Sequence, residues 1–167
     1  MSSFKSLESW VVPQAIDATE TTQKLPLGTI IRAEDKASTA YGVGEFIYLK
    51  GVANTAVGSA VTYNPDDHST TLLAANAIGP VAFAMSANVA SQYGWYQING
   101  KAIGLALTGY VDNALVYATA TAGSVDDAVV SGDRVKNAIG ASAVDTPSTG
   151  FAEFEINRPF MDDVSAS

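Results

Sequence analysis

The sequence predicts an all-β fold: a compact β-barrel or β-sandwich of short antiparallel strands, preceded by an extended N-terminal arm. Three observations carry this. From Gly28 onward the chain is a series of short runs rich in β-branched and aromatic residues, each ended by Gly, Pro, Asn or Asp. No stretch sustains the 3.6-residue apolar period of a helix. Residues 1–27 differ in kind, being rich in Thr, Gln, Ser and Glu and punctuated by Pro13 and Pro26. A chain of 167 residues fits one domain. It divides into an arm, 1–27, and a body, 28–167.

Within the arm, Trp10-Val11-Val12 is the one concentrated apolar cluster. Pro13 disfavours helix before it. So polar a segment has too little apolar surface to act as a core element, so the body is expected to fold without it. The first body strand is Thr29–Ala33. The next, Glu45–Lys50, ends at Gly51. Ala60–Tyr63 stops at Asn64-Pro65-Asp66-Asp67, which is turn chemistry, and Thr70–Ala74 is expected to pair back across that turn. Ile78–Met85 is almost wholly apolar, which predicts burial on both faces, and Gly79-Pro80 near its start marks a bulge or an edge.

Asn99-Gly100 between two β-rich runs predicts a hairpin, because both central residues of a type I′ turn need positive φ. That register would set Tyr96 opposite Ile103, Trp95 opposite Gly104 and Tyr93 opposite Ala106. Further strands are expected at Leu115–Ala120, Arg134–Ala138 and Phe151–Ile156. A helical turn at Asp126–Val130 is opposed by its β-branched residues. Residues 162–167 should be frayed.

Hydrophobic residues make up 47% of the chain, enough for a core, but charged residues only 16%, against about 25% in an average soluble domain. Ala, Gly, Ser and Thr fill the deficit, which suits a surface packed against neighbours. The net charge of −8 and the scatter of the nine basic residues exclude a phosphate-binding patch, so nucleic acid is not an expected partner. With no cysteine, disulfides and thiolate metal sites are ruled out. No stretch approaches the roughly 20 apolar residues of a membrane-spanning helix. Met1-Ser2-Ser3-Phe4-Lys5-Ser6 lacks the basic and then apolar pattern of a secretory signal, so synthesis in a cytosol without export by the usual route is expected.

Candidate chemistry is sparse. His68, the one histidine, follows Asp66 and Asp67 in a turn. A metal site wants several converging ligands, and the spaced carboxylates of a calcium loop are missing, so a solvated turn explains these residues better. Glu153 and Glu155 share a strand face, but Phe154 and Ile156 explain them as the outward positions of a half-buried strand. Gly42-Val43-Gly44 precedes no helix and is no dinucleotide loop. Tyr93, Trp95 and Tyr96 could stack sugars if exposed, though core packing accounts for them. No catalytic residue, cofactor or metal is expected, and the chain reads as structural, not as an enzyme.

The chain resembles the head decoration, or capsid cement, proteins of tailed bacteriophages. The resembling features are Leu27-Gly28-Thr29-Ile30-Ile31, Gly58-Ser59-Ala60-Val61-Thr62-Tyr63 and Ile78-Gly79-Pro80-Val81-Ala82. Later come Asn137-Ala138-Ile139-Gly140-Ala141, Thr149-Gly150-Phe151-Ala152-Glu153-Phe154 and Asn157-Arg158-Pro159-Phe160. The resemblance implies a β-rich body, often a homotrimer, on the outer surface of a virion. There it would bridge major capsid protein subunits and stabilise the shell. Trp10, Val11 and Val12 would then be the capsid-binding residues. Two other classes fit the same composition: a tail or baseplate structural protein, and a carbohydrate-binding β-domain.

Overall fold

A computed structural model describes residues 3–163. The part of the expected frayed terminus at 164–167, like Met1 and Ser2 of the arm, lies outside the described residues. The chain is all-β, as expected, with no helix among the described residues. Its strands are β1 (Phe4–Ser6), β2 (Thr19–Glu20), β3 (Ile30–Asp35), β4 (Val43–Lys50), β5 (Ala60–Tyr63) and β6 (Thr70–Leu72). They continue with β7 (Gly79–Ala84), β8 (Tyr93–Leu105), β9 (Leu115–Ala118), β10 (Val125–Asp126), β11 (Arg134–Gly140) and β12 (Phe151–Met161). All belong to one antiparallel sheet with the order β1-β3-β4-β8-β7-β12-β11-β9-β10. β5 and β6 extend from β7, and β2 pairs with β8.

The expected hairpin at Asn99-Gly100 is not there. Residues 93–105 form one strand of 13 residues. Gly100 has φ of +98°, but Asn99 is not among the residues with positive φ, so the two do not make a type I′ turn. Instead Glu45 pairs with Asn99 and Phe46 with Gln97, which leaves Ile98 as an extra residue and bends the strand. The two halves find different partners. Residues 93–99 pair with β4, and residues 99–105 pair with Asn157–Phe151 of β12.

β7 runs antiparallel to both β8 and β12, and these two run antiparallel to each other. Three straight strands in a plane cannot do this, since two strands antiparallel to a third run parallel to one another. The conflict is removed by the bend in β8 and by a second bend in β12. There the pairing with β11 slips between Lys136 and Ala138, and Arg158 takes φ of +45°.

The bends fold the sheet into two barrel-like enclosures. One runs through β4, β8, β7, β5 and β6, and closes by the single bridge Lys50–Ser69. It holds Ile47, Leu49, Val61, Ala82, Tyr96 and Ile98. The other runs through the second half of β8, β12, β11, β9 and β10, and closes by the bridge Ala106–Val125. It holds Phe154, Val116, Val125, Val135 and Tyr110. β7 is the wall between them. Val81 and Phe83 face one core while Ala82 and Ala84 face the other, which is the two-sided burial expected from its composition.

A further core lies on the outer face of β3, β4 and the start of β8, built from Phe4, Ile16, Ile31, Phe46, Tyr48 and Trp95. The N-terminal segment is its cover. Residues 3–27 therefore lie folded on the body and do not extend from it as an arm.

Candidate interaction surface

The N-terminal segment is pinned at two places. At the first, β1 pairs with β3, Ser3 N donates to Asp35 Oδ1 (2.8 Å), Leu7 N donates to Arg32 O (2.9 Å) and Arg32 N donates to Glu8 Oε1 (2.8 Å). At the second, Gln14 is a buried hub. Its Nε2 donates to Ala18 O (2.9 Å) and Tyr93 O (2.8 Å), and its Oε1 accepts from Tyr48 OH (2.7 Å). Its backbone carbonyl accepts from Trp95 Nε1 (3.1 Å). This is why a polar segment can cover a core: its polar groups find partners, so their burial is not penalised.

Between these anchors the chain turns outward. Trp10 is 42% exposed, Val11 90% and Leu7 46%. Val12 is half-buried and packs against the core beneath. Of the three residues predicted for binding, then, two face solvent and one faces inward. Leu7, outside the expected Trp10-Val11-Val12 cluster, joins the exposed pair. An odd spacing from the buried Phe4 would have placed it on the opposite face of an extended segment.

The residues weighed for chemistry have these places in the fold. His68 sits in its turn with φ of +56°, and a Cβ at Gly28 would lie 2.3 Å from its Nε2, so the ring packs flat on that glycine. Asp67 Oδ1 accepts from Ser69 N (3.0 Å) and Ser69 Oγ (2.7 Å), which holds its carboxyl below the usual range. No group of His, Asp and Glu side chains among the described residues is placed to hold a metal ion. Trp95 and Tyr96 are fully buried, and Tyr93 is half-buried against the core that the N-terminal segment covers.

Glu153 departs from expectation. Glu155 is exposed, and Phe154 and Ile156 are buried, as the strand pattern predicts. Yet Glu153 is only 8% exposed. Tyr41, from the loop between β3 and β4, lies over it and donates from its OH to Oε1 (2.7 Å), while Lys101 Nζ approaches Oε2 to 2.6 Å. Burial, and then the carboxylate beside it, push the Tyr41 phenol well up. The result is a neutralised clasp between a loop and two strands, with its charges already paired. Comparison with protein-family models, curated proteins and solved structures finds no match to the chain.

Proposed function

We propose that this protein is a structural component of a virion, bound to the outside of a tailed-phage capsid. There it stabilises the shell by bridging major capsid subunits. The observation that carries the reading is the exposed apolar ridge of Leu7, Trp10 and Val11. A buried aromatic anchor with flanking aliphatics is the kind of contact that dominates an interface. Because the ridge is held at both ends, little conformational entropy is lost when it docks. Val12 then serves as the inner fixing point of the ridge, while Trp10 and Val11 make the contact. The resemblance supplies a homotrimer, and three ridges on one particle would reinforce one another through effective concentration.

The test is a double variant, Trp10→Ser with Val11→Ser, added to purified shells that lack the protein. Both side chains are solvent-facing, so the variant should keep its circular dichroism and melting temperature while no longer sedimenting with shells. Undiminished binding would remove the ridge from the interface. Binding to tails instead of heads, seen by electron microscopy, would move the protein to the tail class.

A further inference from the structure

A cleft of about 530 Å3 lies where the turn between β5 and β6 meets the start of β7. That is room enough for a small molecule. Its apolar lining comes from Tyr63, Ile78 and Pro80, and its polar lining from Thr62, Asn64 and Thr71. Among the described residues, no carboxylate, ammonium or guanidinium lines it. Asp66, Asp67 and His68 belong to the same turn but lie outside the lining. Arg158, close enough to act on the Tyr63 phenol, is held by Glu45 at 3.5 Å.

The polar groups are neutral and uncommitted. Thr62 lies directly opposite Thr71 across β5 and β6, so the two side chains share a face, with Cβ atoms about 4.5–5.5 Å apart. Neither hydroxyl has a hydrogen-bond partner among the described residues, and nor has the Tyr63 phenol. Burial pushes that phenol up, so it stays protonated at neutral pH. Asn64 Oδ1 accepts from Asp66 N (2.8 Å), which leaves Nδ2 as a free donor. A hydroxyl both donates and accepts, so the set can do either without carrying charge. Beside it, Ile78 is 72% exposed, and Tyr63 lines the cleft while packing on the core of the first enclosure.

This lining is the complement of a pyranose ring. The axial C–H bonds of such a ring make an apolar face, and the hydroxyls around its rim both donate and accept. A charged ligand would lose hydration here and meet no opposite charge. A wholly apolar ligand would cover the hydroxyls and leave them unpaired. We propose that the cleft binds a neutral sugar ring, with its C–H face against Tyr63, Ile78 and Pro80 and neighbouring ring hydroxyls bridging Thr62 and Thr71. The residues differ from Tyr93, Trp95 and Tyr96, the rings considered for sugar stacking from sequence. The site stands independently of the capsid-binding reading, since the ridge is built from residues 7–11 and the cleft from β5, β6 and β7.

The experiment titrates the full chain with methyl α-D-glucopyranoside, methyl β-D-galactopyranoside and methyl α-D-mannopyranoside, following the methyl groups of Thr62, Thr71 and Ile78 by NMR. Cyclohexanol, a ring of the same size with one hydroxyl, and the capped tripeptide acetyl-Pro-Pro-Pro amide are the controls. Saturable shifts with at least one glycoside, and weaker ones with both controls, are expected. Thr71→Val keeps a β-branched residue at an exposed strand position and removes only the hydroxyl. It should weaken glycoside binding about fivefold, the loss of one neutral hydrogen bond, at an unchanged melting temperature. Tyr63→Phe should weaken it by a similar factor while keeping the ring. Four results would each overturn the proposal: no saturable shift with any glycoside, equal binding of cyclohexanol, binding of the tripeptide in place of the glycosides, or unchanged affinity in both variants.

Discussion

Asp35 shows how one side chain can organise several backbone groups. It sits at the end of β3 and is only 5% exposed. Its Oδ1 accepts from Ser3 N (2.8 Å) and Ala37 N (3.0 Å), and Oδ2 accepts from Ser38 Oγ (2.9 Å). Burial pushes the carboxyl up, but these donors outweigh it and hold the group below its ordinary value of 3.8. The folded state then binds fewer protons than the unfolded state around that pH. The stabilisation is complete above about pH 4 and is lost as pH falls through the folded value. Asp35→Asn should destabilise the protein by about 1–3 kcal/mol at neutral pH. Urea denaturation from neutral to strongly acid pH should show that gap narrowing on the acid side; a gap that stays constant would sink the assignment. Contacts of this sort are poorly legible in sequence. Tyr41 and Glu153 meet across 112 positions, and nothing local at either residue announces the other.

At the scale of elements, most strands could be read because the signals are local. Ala60–Tyr63 was bounded by turn residues and is β5 as expected, and Thr70–Leu72 pairs back on it across the Asn64–Asp67 turn. β8 could not be read in the same way. Asn-Gly encodes a readiness for positive φ, and that readiness serves a turn or a bulge equally well. Which one forms depends on whether the flanking runs prefer each other or other strands. Here β4 and β12 take one half each, so the glycine bends a strand and reverses nothing. Gly100→Val should still be costly, though for a different reason than a broken turn. The new Cβ would lie 2.8 Å from Val43 O at a φ of +98°, a conformation β-branched residues resist. A loss of about 1–3 kcal/mol is expected, read as a drop in the denaturant midpoint. Tolerance of valine would mean that the bend is made elsewhere.

Over the whole molecule, the N-terminal segment departs from the expected arm because apolar content alone does not decide burial. Phe4 and Ile16 are buried, Val12, Leu25 and Leu27 pack against the same core, and with Gln14 taking part in four hydrogen bonds they roof it. Deleting residues 1–20 should therefore not leave an intact body. The deletion removes Trp10 and leaves Trp95 as the sole tryptophan of the original two, a clean reporter. Its fluorescence should shift to the red and the melting temperature should fall; a blue-shifted emission at an unchanged melting temperature would restore the detachable arm. The two enclosures have a corresponding weak point. Each is joined by strand ladders around most of its circumference but shut at a single bridge, where Lys50 N donates to His68 O (3.2 Å) in one and Leu107 N to Val125 O (2.9 Å) in the other. A seam of one or two hydrogen bonds can part without dissolving the ladders beside it. Amide exchange should therefore be faster at Lys50 and Leu107 than along the pairing of β8 with β12, and equal protection at all these sites would count against such opening. Opening there would admit water to either interior by a hinged door at a fixed address, with the wall beside it left shut.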